Sequence, residues 1–234
     1  MARPTTSRRE SEASATASER EPPRTARGAR TRARLVQAAR KVFERDGFLD
    51  ARLADITTEA GTAAGSFYTY FTSKEEIFQA VLEEIQEEML HPHVHEMTDS
   101  DDPVSVIAAS TRAYLQSYER NAKLMRLLEQ VANIDDKFRE LRKRRSDAFM
   151  RRNARAIRDL QARGLADPAL NPILAAGALS GMVARTAYTN WVLGEDWDLD
   201  ELTDTLTQLW INALKIAPRA APGPDSPGTA AEGR

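Results

Sequence analysis

The side chains best suited to chemistry fall into three groups. His91, His93 and His95 alternate with Pro92 and Val94. In an extended segment residues two apart share a face, so three imidazoles could converge on a metal. The same run reads as a solvated linker after a helix that Pro92 stops, and no metal is assigned to it. Tyr68, Tyr70 and Lys74 form the second group, with Arg52 upstream. Phenolic hydroxyls and cations on short helical segments are serviceable phosphate ligands. The third group is Arg145 and Arg152, which fall within the apolar stripe of Leu141, Ala148, Phe149, Ala156 and Leu160 on a long helical stretch. An inward arginine is costly unless paired. Pairing with Glu129 or Asp147, or snorkelling to water, would satisfy it. So would an anionic group of a ligand whose apolar remainder lies against Tyr114, Tyr118, Leu128 and Met182. The chain has no cysteine, hence no thiolate nucleophile, no disulfide and no Cys-ligated zinc. No nucleophile and base stand together, so neither an enzyme nor a cofactor is expected.

Helices must position these groups. Of 234 residues, 110 are Ala, Leu, Glu, Lys or Arg, whereas Val and Ile together supply 18. Straight-chain residues lose little rotamer freedom in a helix, while β-branched ones suit strands. A hydrophobic share of 41% is enough for a core. No run approaches the roughly 20 apolar residues of a membrane span, and the N-terminus has no apolar signal core, so a cytoplasmic protein without a membrane partner is expected. The net charge of −2 conceals an asymmetry: residues 1–74 carry 14 Lys+Arg against 9 Asp+Glu, and the remainder 19 against 26. A basic end on an acidic body suits nucleic acid at that end.

Residues 1–28 hold no large apolar side chain after Met1, and the segment 217–234 is rich in Pro and Gly; both read as disordered. The pattern between them predicts nine helices and no strand. The first spans residues 30–46 and is stopped by Gly47. Two short ones follow at 52–60 and 63–70, joined by a turn containing Gly61, which is a helix-turn-helix pattern. Ser73 and Glu76 form a capping box for the fourth, which runs to Pro92. Asp102-Pro103 and Asn171-Pro172 open the fifth and eighth. The sixth holds Leu124 to Val131, the seventh spans 135–163, and the ninth runs from Asp198 to Ile216.

The stretch from Thr31 to Leu82 carries Ala38, Phe43, Gly47-Phe48, Asp55-Ile56, Ala60-Gly61, Gly65, Phe67-Tyr68, Tyr70-Phe71 and Ser73-Lys74-Glu75. In order and spacing it resembles the N-terminal domain of the TetR/AcrR family of bacterial transcription regulators. The resemblance implies an all-α, nine-helix fold: a three-helix DNA-binding domain at 29–90, with its fourth helix linking, and a larger ligand-binding and dimerisation domain at 91–216. It implies a homodimeric repressor that a small-molecule inducer releases from a palindromic double-stranded operator. It assigns phosphate contact to Tyr68, Tyr70 and Lys74 and core positions to Phe67 and Phe71. Arg52, Ala64, Gly65 and Ser66 complete the expected DNA contacts. The eighth and ninth helices would form the dimer. Gly177 and Gly181 permit close helix packing, and Leu202, Leu206, Leu209 and Trp210 form an apolar stripe, which would serve equally as intramolecular core.

The chain departs from the family pattern where Ala51-Arg52 replaces a frequent Thr-Thr and Ala63-Ala64 replaces a frequent Ser-Lys. Few side chains remain for bidentate base contacts, so DNA shape or an arginine-bearing arm (Arg20, Arg24, Arg27, Arg30, Arg32 and Arg34) would contribute to recognition. Two other classes are compatible with the composition: a helical ligand-binding or scaffold protein without DNA function, and a metal-dependent protein built on the histidines.

Overall fold

The computed structural model describes residues 25–90 and 102–217. Among them are nine α-helices and no strand: α1 Ala26–Asp50, α2 Leu53–Glu59, α3 Ala64–Tyr70, α4 Lys74–Leu90, α5 Pro103–Arg120, α6 Ala122–Ala132, α7 Asp136–Ala162, α8 Pro172–Tyr188 and α9 Leu199–Leu214. A single π-helical turn, Thr189–Leu193, extends α8 before Gly194 turns the chain at φ 88°. The three histidines lie outside the described residues.

Local chemistry fixes most helix ends. The side chains of Asp102, Asp135, Asn171 and Asp198 each accept from a backbone N–H in the first turn of the helix that follows. Ser73 caps α4 by accepting from Glu76 N, but the reciprocal half of the expected box is displaced: the Glu76 carboxylate accepts from Thr72 N and Thr72 Oγ1 instead of the Ser73 backbone. Helix α1 starts earlier than composition suggests, at Ala26, with the Thr25 hydroxyl accepting from Gly28 N. Arg27, Arg30, Arg32 and Arg34 therefore stand on a helix and not on an extended arm. Gly47 breaks that helix at φ 80° and ψ 177°, and one further turn runs on to Asp50. Only glycine adopts this backbone readily.

Helix α1 packs against α2 and α4, and α2 against α3, giving a small N-terminal unit. Helix α7 packs against α8 and α6, and α9 against α5, giving the larger C-terminal unit. The two share one core. Phe43, Phe48, Phe78 and Phe138 form a continuous aromatic cluster that draws on α1, α4 and α7, with centroid separations from 4.9 to 5.9 Å. Polar contacts cross the same boundary. Arg40 Nη2 of α1 donates to Oδ1 of the buried Asn121 at 2.6 Å, and the Glu88 carboxylate of α4 accepts from Ser117 and Arg120 of α5.

Candidate nucleic-acid interface and ligand cavity

The N-terminal unit presents α3 outward. Phe67 and Phe71 are buried as expected. Ala64 and Gly65 are exposed, and a Cβ built at Gly65 would meet no protein atom within 4 Å. Nothing inside the protein demands glycine there, so any close approach must come from outside. Tyr68 is 55% exposed with its ring against the edge of Phe67, Ser66 is half-buried, and Tyr70 packs partly into the core. Arg52 is exposed at the N-cap of α2 and contributes no side-chain cap.

Lys74 already has protein partners. Its ammonium donates to Leu49 O at 3.0 Å and Ala51 O at 3.1 Å, and lies 4.8 Å from the centre of the Phe48 ring. These contacts tie the start of α4 to the turn after α1. An ammonium has three donors, so one remains for a phosphate. Arg34 is used in the same way, its Nη2 donating to Ala60 O and Gly61 O at the end of α2.

The C-terminal unit holds a half-open cavity of about 1020 Å³ between α5, α6, α7, α8 and α9. Tyr114, Tyr118, Leu128, Arg145 and Arg152 all border it, which brings five of the six expected ligand residues together. Met182 does not. On α8 the lining comes from Ser180, Gly181, Val183, Ala184, Arg185 and Tyr188, and Met182 points nearly opposite that face. Phe149 and Trp210 also line the cavity, and Phe149 meets Tyr114 edge-on at 5.4 Å. Tyr188 was legible as one turn beyond Ala184 on the same face; the role of Trp210 was not.

Burial raises the Tyr114 pKa to about 12 and pushes that of Tyr118 up further, so both are neutral hydrogen-bonding groups. Arg145 is 6% exposed and takes neither expected acid, because Glu129 pairs with Arg142 at 2.7 Å. It donates from Nη1 to Leu82 O of α4 at 2.7 Å, while Nη2 lies 3.5 Å from Met125 Sδ and 3.8 Å from Met89 Sδ. Burial lowers its pKa, as it does that of Arg152.

The expected dimer residues separate. Leu202, Leu206 and Trp210 are buried in the protomer's own core, because that face of α9 packs on α5 and the cavity. Gly177 faces Met150 of α7, whose Sδ would lie 3.4 Å from an added Cβ. Gly181 and Leu209 are exposed, Leu209 at 44%. The outer face of α8 adds Leu174 at 71% and Ile173 at 46%.

Residues 35–81 match the family described as bacterial regulatory proteins, tetR family, and residues 106–214 match the tetracyclin repressor-like C-terminal domain. The chain belongs to the TetR family. Among similar proteins, the HTH-type transcriptional regulator TtgR of Pseudomonas putida is 26% identical over 205 residues, covering 80% of this chain and 93% of its own. A TetR-family regulator from Mesorhizobium loti superposes with a TM-score of 0.68 at 20% identity, covering 80% of this chain and 98% of its own. FadR from Bacillus subtilis, solved in complex with stearoyl-CoA, gives 0.67 at 16% identity, covering 77% and 98%. The likeness to both solved structures shows the fold. The TetR-family assignment makes this chain a helix-turn-helix transcription regulator, and the relatives it matches are regulators rather than enzymes. No described helix is long and apolar enough to cross a membrane, and no described group of three acidic or histidine side chains could hold a metal ion.

Proposed function

We propose that this TetR-family regulator is a homodimeric repressor that leaves a palindromic operator when a small hydrophobic ligand enters the C-terminal cavity. The observation that carries the reading is the cavity wall itself. Helix α7 lines the cavity and, from the same helix, reaches α4 through Arg145 and the α1–α4 aromatic cluster through Phe138. A ligand that displaces α7 therefore acts on the helices that carry α3. The wall joins apolar and aromatic side chains to basic ones, Arg145 and Arg152 among them, with Glu129, Asp136, Glu140 and Asp147 also in the lining. The basic groups suit a lipid-like ligand bearing an anionic group. FadR of Bacillus subtilis binds stearoyl-CoA, an amphipathic anion, in a related fold.

On DNA, α3 would enter the major groove through Ala64, Gly65 and Ser66, with Arg52, Tyr68, Tyr70 and Lys74 on the phosphates. Dimer contact belongs to the outer faces of α8 and α9, through Gly181, Leu174 and Leu209. Sequencing the DNA retained by the purified protein from fragmented genomic DNA tests the reading: a recurring inverted repeat is expected, and enrichment of no sequence would overturn it. Leu209→Arg together with Leu174→Arg should yield monomers by light scattering and abolish retention. A dimer that survives both changes places the interface elsewhere.

A further inference from the structure

Arg145 and Arg152 stand seven residues apart on α7, which is two turns or about 10 Å along one face. Both border the cavity, in different circumstances. Arg145 is engaged with Leu82 O and two methionine sulfurs. Arg152 has no such partner: among the described residues it makes no hydrogen bond and no ion pair. Of the four acids that line the cavity, Glu129 pairs with Arg142 and Asp136 with Arg139, and neither Glu140 nor Asp147 forms an ion pair with Arg152. The adjacent Asn153 turns its amide to Ser180 Oγ at 2.8 Å. The effect of burial on Arg152 is offset by no neighbouring acid. A guanidinium keeps its proton, so a fixed positive charge stands in the cavity wall beside Phe149 and Tyr114.

We propose that Arg152 is the anion receptor of this cavity, that the ligand is an amphipathic organic acid with a carboxylate on a hydrophobic body, and that Arg145 is a strut between α7 and α4. A planar guanidinium matches a carboxylate in bidentate fashion, and in a partly desolvated site that pair is strong. The hydrophobic body then lies along α7 toward Phe149, Tyr114 and Tyr118. This assignment rests on the reading of the cavity as a ligand site and names the charge the ligand carries.

The test uses the full chain and two probes of equal length, dodecanoate and dodecanol, titrated by calorimetry into wild type, Arg152→Met, Arg152→Lys and Arg145→Met. Wild type should prefer the acid by about tenfold or more, Arg152→Met should lose that preference, and Arg152→Lys should keep part of it. Arg145→Met should retain the preference. Ligand-free Arg152→Met should melt no lower than wild type, because the charge it removes has no protein partner to lose. Equal affinity for acid and alcohol in wild type, absence of dodecanoate binding, an unchanged preference in Arg152→Met, or a marked fall in its melting temperature would each overturn the proposal. Retention of the DNA selected by wild type is measured on the same preparations. DNA retention by wild type that is the same with and without bound dodecanoate, with the acid preference intact, would sink the ligand-released repressor reading and leave the receptor assignment standing.

Discussion

Arg34 and Arg145 both donate from a guanidinium to helix carbonyl oxygens, one in the DNA-binding unit and one in the ligand unit. Arg34 is exposed and closes the end of α2, where the last carbonyls have no partner within the helix. Arg145 is buried and reaches Leu82 in the middle of α4, with no carboxylate to balance its charge. The first contact satisfies groups that need a partner. The second costs desolvation and gains one hydrogen bond, a poor exchange for stability alone. The N-terminal unit thus uses its cations as fasteners around α2 and α3, two short helices that bury little surface each. The C-terminal unit holds cations beside a cavity, where a charge becomes useful when something occupies it.

The strongest way to break this comparison is at the aromatic cluster that joins the units. Phe78→Ala removes a fully buried ring in contact with Phe43, Phe48 and Phe138. It should cost about 3–5 kcal/mol in urea unfolding, and the two units should lose stability together. Two separate transitions, with one unit at its original midpoint, would show that the shared core does not couple them.

Lys74 comes next. Lys74→Ala removes two hydrogen bonds to backbone carbonyls and should lower stability by about 1–2 kcal/mol. If its remaining donor meets a phosphate, binding to all DNA sequences weakens and the salt slope falls by about 1. Loss of stability with an unchanged salt slope would make Lys74 a fastener only.

The two arginines sharpen the contrast further. Arg34→Ala should cost about 1 kcal/mol, since it leaves the α2 carbonyls to water. Arg145→Met keeps the shape and removes the buried charge, so its unfolding free energy should stay within about 1 kcal/mol of wild type while ligand-driven DNA release weakens. A much larger loss from Arg145→Met than from Arg34→Ala would reverse the assignment of the two roles.

The smallest effect is confined to alkaline pH. Tyr114 titrates near pH 10 when unfolded and at about 12 in the folded chain. Between those values the unfolded state has released a proton that the folded state still holds, so stability falls as pH rises through this window and is untouched at neutral pH. Tyrosinate absorbance should show Tyr114 and Tyr118 ionising well above pH 10 in the native protein. Ionisation of Tyr114 near pH 10 in the native protein would mean that the cavity wall is wet.

Helix count, most helix starts after α1 and the turn at Gly61 were legible in the sequence because they depend on neighbours within a few residues. Asp102, Asp135, Asn171 and Asp198 cap the helices they precede wherever those helices pack. The DNA-binding helices were legible for the same reason: their landmark residues lie within one continuous stretch. The cavity was half legible. Periodicity put Arg145 and Arg152 on one inward face, but it could not say which had a partner. The partner of Arg145 is a backbone carbonyl 63 residues away, which no side-chain pattern marks. The same limit placed Met182 among the cavity residues and left Leu202, Leu206 and Trp210 open between a dimer face and the protomer's own core. An apolar stripe states that a helix face is covered without stating by what, and only the packing of α9 on α5 shows that the cover comes from the same chain. The sequence alone thus determined the helices, their order and the family they serve. The pairing of charges and the occupant of each apolar face were decided by tertiary structure, because both depend on contacts between segments far apart in the chain.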